Sequence, residues 1–329
     1  MYARCAGIDV QKRTVVVTVV LTGLEGPAQK QTRPFGTMTA DLLALGEWLE
    51  EERVTPVALE STGVSWWPVS HRLEEGCRLL LVTPQHLKTV PGRTTEVKDS
   101  AWLADLVRHG LLHASVIPPA PLRALRELTR SRKTLIRERV HQANRLQQGL
   151  ASATSKLAAV ASAVLGMRAR QMLEALLAGE EDGAALADLA RRHLRRTIPA
   201  LKQALEGRLL PPQRFLLRAL RAHVDFLDAA IVRVQAEMEH HVLPDQEARR
   251  LVQTIAGGNE TAAAAIRAAI GTDMSRFPSA GHLASWAGVC PGTKQRGGQR
   301  LKEATTQGSP WLRAILGAVV FAIAHTRDT

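Results

Sequence analysis

The sequence predicts a mixed α/β domain at the N-terminus, followed by a region built of long helices. Three observations support this fold class. Runs rich in Val, Thr and Leu alternate with helical patterns up to about residue 117. Residues 122–250 hold almost no strand pattern and are rich in Ala, Leu, Arg and Glu. The length of 329 residues also exceeds what one hydrophobic core usually holds.

The elements of the α/β domain are predicted from their apolar spacing and from turn residues. In chain order, the patterns predict two strands in 5–22 with a turn at Gln11–Lys12, a strand over 30–35, a helix over 39–52, a short strand that ends near Glu60, a helix over 66–75, a buried strand in CRLLLVTP, and a helix over 96–109. This order is typical of a mixed sheet covered by helices.

We expect three segments along the chain: an α/β domain over 1–117, a helical or coiled-coil segment over 118–250, and a mostly helical domain over 251–329. The change falls at a proline cluster that begins at residue 118, and glycines become frequent after residue 256. The tryptophans in these segments are predicted to be core residues rather than surfaces for base stacking, Trp286 and Trp311 among them.

Composition narrows the classes of function. A formal net charge of +12 points to a polyanionic partner, nucleic acid before membrane. The low aromatic content of 4% argues against a surface that grips single strands mainly by stacking. Three scattered cysteines predict neither a zinc site nor a disulfide framework and fit a reducing cytoplasm. The most apolar late stretch, 314–324, is too short to span a bilayer, so no membrane partner is expected.

Cations form a stripe along the predicted helix over 122–150. They recur every three or four residues and so lie on one face: Arg123, Arg126, Arg130, Lys133, Arg137, His141 and Arg145. Eight Lys or Arg and only two acids occur in this stretch, a net charge of +6. Two interpretations remain open, a solvated helix face and a face that follows a phosphate backbone.

Four carboxylates occupy positions where α/β proteins gather their sites. Asp9 and Glu60 follow apolar runs and so lie where strands end, and Glu96 and Asp99 are three residues apart on one helix. Two-metal phosphoryl transfer needs several convergent carboxylates. A strand-end Asp, a strand-end Glu and a helical pair form a ribonuclease H-like layout, although each acid alone is more often structural.

Several long segments resemble the bacterial insertion-sequence transposases of the one-ten family. They occur in the family's order, from about residue 5 to the end of the chain: GIDVQKRTVVVTV, ALESTGVSWWPV, VPGRTTEVKDSAWLADLVRHGLL and DMSRFPSAGHLASWAGVCPG. The resemblance implies a resolvase-like (ribonuclease H-like) domain, a helical coiled-coil segment and a C-terminal transposase domain. It also implies DNA and a guide (bridge) RNA as partners, a homo-oligomer (dimer or tetramer), and a cytoplasmic, nucleoid-associated protein.

The resemblance assigns Mg²⁺ (or Mn²⁺) to Asp9, Glu60, Glu96 and Asp99. The third acid is usually Asp in the family, and here it is Glu96. The extra methylene moves the carboxylate oxygens outward, while Mg²⁺ demands near-ideal octahedral geometry. We therefore expect Glu96 to be a weakened ligand.

The serine that attacks DNA in the family has no counterpart in register. The chain reads PGTKQRGGQRLK, so Arg296 occupies the expected serine position. A guanidinium stays protonated and cannot act as a nucleophile. Thr293 or Thr305 could substitute only from a displaced position. The chain also stops where relatives continue through a basic segment, which implies a truncated copy.

The sequence therefore predicts a DNA transposase of a mobile element whose strand exchange is impaired. Two alternatives stay open, a non-catalytic DNA- or RNA-binding remnant and a metal-dependent structure-specific nuclease. A purely structural helical scaffold would show no salt-sensitive affinity for nucleic acid.

Overall fold

The computed structural model describes most of the chain and divides it into two compact units, Met1–Ile117 and Pro118–Thr329. The described residues are 2–23, 27–60, 65–84, 87, 99–112, 115, 117–154, 167–180, 182, 185–186, 209–242, 250, 254, 260–291, 295–296, 299–300, 305 and 308–325. We call the first unit the α/β unit and the second the helical unit.

The α/β unit is built on a five-stranded mixed sheet. Its elements are β1 (Arg4–Val10), β2 (Thr14–Leu21), β3 (Gln29–Gly36), α1 (Thr39–Glu51), β4 (Pro56–Glu60), α2 (Trp66–Leu73), β5 (Arg78–Val82) and α3 (Asp99–His109). The strand order is β3-β2-β1-β4-β5, and only β2 runs against the others. This order is that of a ribonuclease H-like domain, so the predicted fold class is confirmed.

Each face of the sheet buries its own apolar cluster, because side chains alternate along a strand. Ile8, Val17 and Leu59 pack with Leu45 and Leu49 of α1 on one face. The other face carries a second cluster, which joins the sheet to α3. Its members are Cys5, Val20, Ala58, Val82, Leu87, Leu103, Ala104, Leu106 and Val107. Helices therefore cover both faces, as a largely parallel sheet requires.

The helical unit is organised around two long antiparallel helices. α4 (Ala120–Thr154) has 35 residues, and α6 (Pro211–Val242) has 32. Leu125 packs with Met238 near one end of the pair, and Gly149 lies against Leu217 near the other. Between these contacts Arg139 forms an ion pair with Asp228 at 2.5 Å. The long helices expected after the proline cluster are therefore present.

Shorter elements pack around this pair. They are α5 (Met167–Ala178), α7 (Glu260–Ile270), a 3-10 turn (Met274–Arg276), α8 (Ala280–Ala287), β6 (Gln295–Arg296), β7 (Gln299–Arg300) and α9 (Pro310–His325). One side of α7 packs on Leu125 of α4, and its Ile266 packs on Leu312 of α9. α7 thus joins the long pair to the last helix. In the part of the chain that the structure describes, no helix has the length and apolar content needed to cross a bilayer.

Candidate active site and nucleic-acid interface

Asp9 and Glu60 lie side by side at one edge of the sheet. β1 and β4 are parallel neighbours in which Ile8 pairs with Leu59, so Asp9 and Glu60 occupy the next register position. Ile8 and Leu59 belong to the cluster under α1 and α2, so the alternation of side chains puts both acids on the α3 face. Neighbouring strands are about 4.8 Å apart, which allows the two carboxylates to act on one ligand.

The start of α3 lies against this same face, because the helix approaches β1 very closely. An added Cβ at Gly7 would lie 2.2 Å from the carbonyl oxygen of Ser100 and 2.4 Å from the backbone nitrogen of Ala104. Gly7 precedes Asp9 by two residues and so lies on the same face of the strand. Asp99 is the first described residue of α3, directly before Ser100. A glycine at position 7 is therefore what permits the first turn of α3 to lie against β1.

A buried hydroxyl pair fixes α3 against the sheet. The Thr18 and Ser100 hydroxyl oxygens are 2.9 Å apart, and the Thr18 hydroxyl is also 2.9 Å from that of Thr32. Thr18 and Ser100 are both buried. Since a buried hydroxyl is costly without a partner, this pairing favours one position of α3 on β2. The first turn of α3 is thus held by polar contacts as well as by apolar packing.

The described acids have the right chemistry for a hard divalent cation. Asp9 and Glu60 are half-buried, and Asp9 accepts a hydrogen bond from the amide Nε2 of Gln11 at 3.2 Å. Carboxylate oxygens are the ligands that Mg²⁺ prefers. Among the described residues no group of three or more His, Cys, Asp or Glu could hold a metal ion, and Glu96 lies outside them. The complete ligand set stays a prediction.

The cationic stripe of α4 divides into two kinds of contact. Arg126 donates from Nε and Nη2 to the carbonyl oxygens of Ala268 and Ala269, both at 2.9 Å. Arg126 therefore caps the C-terminal end of α7, where a cation is favourable. Its pKa is lowered mainly by burial and also by the positive charge of the nearby Arg130. Arg123 likewise donates to the backbone, to the carbonyl of Pro118 at 3.1 Å. These two cations support the fold of the helical unit.

The middle of the stripe surrounds an indole instead. Arg130, Lys133 and Arg137 lie 5.6, 5.5 and 5.7 Å from the ring centroid of Trp311. Arg145, farther along α4, is exposed and donates to the side-chain oxygen of Gln142 at 3.3 Å. None of these four cations forms an ion pair within the described residues.

The prediction that Trp286 is a core residue is wrong, because 46% of its surface is exposed; its ring makes an edge contact with Phe277. Trp311 is half-buried and lines a cavity with Trp286. The error arises because the sequence around an aromatic residue on an apolar helix looks the same whether that residue is in the core or in the wall of a cavity.

Position 296 lies in β6, which pairs antiparallel with β7. Arg296 pairs with Gln299, and Gln295 pairs with Arg300. Thr305 pairs with Pro291 in an isolated bridge and is exposed, whereas Thr293 lies outside the described residues. The residue at the expected serine position therefore belongs to a short antiparallel backbone ladder.

Sequence reasoning missed the residues that act through packing. Gly7 gave one local signal, a glycine two residues before a strand-end Asp in GIDV. Gln11 was assigned only to a turn, yet it contacts Asp9. The contact of Trp311 with the α4 cations gave no local signal, because well over a hundred residues separate the two helices.

Two family models match the chain, one for each end. A model for the DEDD transposase domain of IS110 elements, described as "Transposase", matches residues 6–154. A second, described as "Transposase IS116/IS110/IS902 family", matches residues 249–329. The first match contains Asp9, Glu60 and Asp99, and the second contains Arg296 and Trp311.

One curated relative and two solved structures are similar to the chain. A "Probable family 20 transposase" of Pseudomonas aeruginosa is 26% identical over 278 residues, which are 83% of this chain and 73% of the relative. The RuvC structure of Thermus thermophilus is 14% identical and covers 32% of this chain and 96% of its own, with a TM-score of 0.25. T. thermophilus RuvC in complex with a Holliday junction substrate is 15% identical and covers 35% and 100%, also with a TM-score of 0.25.

Proposed function

The chain belongs to the IS110 family of transposases, and from this premise we propose that it is the DNA recombinase of a mobile element, directed by a guide RNA. One observation carries the assignment of the cleavage site. Asp9 and Glu60 lie opposite each other at the ends of the neighbouring strands β1 and β4. They are on the face of the sheet that α3 covers, where the lack of a side chain at Gly7 lets the start of α3 approach. A scissile phosphate brought to this edge would meet carboxylates from three elements. The protein would act in the bacterial cytoplasm, at the nucleoid.

Asp9, Glu60, Glu96 and Asp99 would hold Mg²⁺ or Mn²⁺ at this edge. When bound, the cation supplies activation of an attacking oxygen and stabilisation of a leaving oxygen. The chain itself positions the ligands: Gln11 orients the Asp9 carboxylate, and the Thr18–Ser100 pair fixes the helix that carries Asp99. The side chain of Glu96 is one methylene longer than the family's Asp, which supports weaker metal binding here.

The cationic stripe would bind the phosphate backbone of DNA or of the guide RNA. Arg130, Lys133, Arg137 and Arg145 have no described counter-ion and lie along one helix. Each phosphate contact of this kind releases bound counterions, so affinity should fall steeply as salt rises. Arg123 and Arg126 belong to the same stripe and add positive potential, although they donate hydrogen bonds to backbone carbonyls.

A homo-oligomer, dimer or tetramer, is supported by the outer face of α6. Phe215 and Phe226 are eleven residues apart, about three helical turns, so they share a face. They are 70% and 60% exposed. Large exposed apolar side chains on a long helix are typical of a protein interface. We therefore assign this face to contact with a second copy of the chain.

Arg296 supports impaired strand exchange in this copy. The family's reaction forms a covalent bond between a serine oxygen and a DNA phosphate, and a protonated guanidinium has no lone pair to offer. Metal-dependent nicking by water would not need that serine. Structure-specific nuclease activity is therefore the second candidate function, and binding without cleavage is the third.

A recombination assay with paired variants tests this assignment. The reaction would contain donor DNA, target DNA, RNA from the element's flank and Mg²⁺. It would be run with the unmodified protein and with the Arg296→Ser variant. Each background would also carry Asp9→Ala, and Asp105→Asn would serve as a control because it removes an exposed acid from the same helix as Asp99. We expect recombination only with Arg296→Ser, its loss with Asp9→Ala, and its retention with Asp105→Asn.

The other outcomes separate the candidate functions. Recombination by the unmodified chain would contradict the assignment of position 296 and point to another hydroxyl. Mg²⁺-dependent nicking without a protein–DNA adduct in either background would favour the nuclease. Salt-sensitive binding that is indifferent to Mg²⁺ and to Asp9 would favour the binding remnant.

A further inference from the structure

The helical unit contains a cavity of about 500 Å³ between α4, α7 and α9. α4 contributes cations, Arg130, Arg132 and Lys133, whereas α7 and α9 contribute mainly small apolar side chains such as Ala265 and Ala318. Trp286 and Trp311 add aromatic surface. The cavity therefore combines a cationic part with a flat apolar part, and its volume is in the range of small-molecule sites.

The cationic part lacks a described counter-ion. No Asp or Glu is among the described residues that line the cavity. Arg130, Lys133 and Arg137 are held around one indole ring within 6 Å of its centroid. Burial lowers the pKa of Arg130, Arg132 and Lys133. The Nε of Arg132 is buried without a hydrogen-bond partner in the described structure. Like charges and an unpaired donor placed together are unfavourable until an anion joins them.

The two parts together select the chemistry of the ligand. Inorganic phosphate would satisfy the cations and leave the indole and the alanines uncovered. Acidic side chains of a peptide would likewise satisfy the cations, but a carboxylate has no attached ring to cover the indole. A nucleotide has both a phosphate and a planar base that stacks on an aromatic side chain. The end of α9 adds to this match, because Ser309 caps the helix at the cavity and helix N-termini favour anions.

We propose that this cavity binds one unstacked nucleotide of single-stranded DNA, with its base against Trp311 and its phosphate at Arg130 and Lys133. The inference rests on the proposed DNA recombinase function and commits to DNA because strand exchange exposes unpaired DNA. The proposal explains the aromatic residues, which would not be needed if the protein bound only the phosphate backbone by electrostatic attraction. It also explains why the cations converge on one ring instead of spreading evenly along α4.

Two oligonucleotides of equal charge test the proposal. A fluorescent oligothymidine and a deoxyribose-phosphate oligomer of the same length that lacks bases would be titrated with the full chain. We expect the oligothymidine to bind about tenfold more tightly, in keeping with stacking of one base. Trp311→Leu should reduce this ratio to less than about twofold, because an aliphatic side chain cannot stack on a base. Arg130→Gln should weaken both oligomers equally.

The control is Phe321→Leu, which removes an exposed aromatic residue of the same helix that does not line the cavity. It should leave the ratio unchanged. Trp311→Phe should retain most of the ratio, and photocrosslinking of an oligomer that contains 5-iodo-deoxyuridine should label Trp311 in the unmodified chain. Labelling elsewhere would overturn the proposal even if every Trp311 variant failed to fold.

Failure of this inference can be told apart from failure of the proposed function. Equal, salt-dependent binding of both oligomers would overturn the nucleotide site and leave DNA binding intact. Tighter, Trp311-dependent binding of oligouridine than of oligothymidine would overturn the assignment to DNA. Absence of binding by every oligomer and by duplex DNA at low salt would contradict the proposed function itself.

Discussion

The α/β unit and the helical unit carry charge in opposite ways. Residues 1–117 contain 12 Lys and Arg against 13 Asp and Glu, whereas residues 118–329 contain 31 against 18. The net charges are therefore −1 and +13, and the whole excess lies in the helical unit. A carboxylate site that binds metal cations is favoured where the surrounding protein carries no excess of positive charge. A phosphate-binding surface needs that excess, so the proposed metal site and the proposed phosphate-binding surface lie in the units whose charge suits them.

The two units also differ in how they bury apolar surface. The sheet is covered on both faces, so its inner strands β1, β2 and β4 are largely buried, although the edge strand β3 is mostly exposed. The helical unit leaves large apolar side chains exposed on its long and last helices, including Phe215, Phe226 and Phe321. An exposed apolar face promotes aggregation of a monomer, whereas in an oligomer it can be buried at an interface. The comparison implies that the α/β unit is the more self-contained of the two.

The largest effect is expected from a methyl group at the contact between α3 and β1. Gly7→Ala would put a Cβ 2.2 Å from the Ser100 carbonyl, where backbone has to move. We expect the free energy of unfolding to fall by about 3 kcal/mol and cleavage to be lost, as measured by urea denaturation and a nicking assay. Gly76→Ala is the matched control, because nothing lies within 4 Å of its added Cβ. Equal stability of both variants would refute the close approach of α3.

The next effect tests the buried hydroxyl pair. Thr18→Val keeps the shape of the side chain and leaves the Ser100 hydroxyl without its partner at 2.9 Å. The cost should be about 2 kcal/mol of unfolding free energy, the usual penalty for an unsatisfied buried hydroxyl. Thr18→Ser retains the oxygen and should lose less. A Val variant as stable as wild type would show that apolar packing alone holds α3.

The charge comparison can be sharpened by salt titration of DNA binding. Arg137→Gln combined with Arg145→Gln removes two exposed cations from the stripe on α4. The slope of log affinity against log salt should become shallower by about 2, since each lost phosphate contact contributes about 0.9. Arg53→Gln combined with Arg72→Gln removes two exposed cations from the α/β unit and should change the slope little. Similar changes in both double variants would remove the distinction between the units.

The smallest effect concerns the ion pair between the long helices. Arg139 and Asp228 keep 32% and 44% of their side-chain surface exposed, so solvent screens their attraction. Arg139→Gln should reduce the unfolding free energy by only about 0.5 kcal/mol, measured by thermal and urea unfolding. A loss of several kcal/mol would mean that charge, rather than the packing of Leu146 and Leu150, holds α4 and α6 together.

Alternation along the strands was enough to predict much of the α/β unit. Val and Thr runs predicted β1 and β2, and the apolar runs before Asp9 and Glu60 put both acids at strand ends. The stripe on α4 followed from its spacing of three and four residues. These features depend on local periodicity, which each segment carries in its own residues. The function of Arg126 as a backbone donor did not follow, because its acceptors Ala268 and Ala269 lie in a distant part of the chain.

By itself, the sequence determined the class of the protein, its strand-end acids and the excess of positive charge after residue 117, and it predicted Arg296 at the position where the family resemblance expects a serine. Only the tertiary structure decided that α3 lies against Gly7 and that Trp311 lies among the cations of α4. The physical reason is the range of the determining interactions. Periodicity and charge are properties of neighbouring residues, whereas which surfaces meet is decided by packing between segments far apart in the chain.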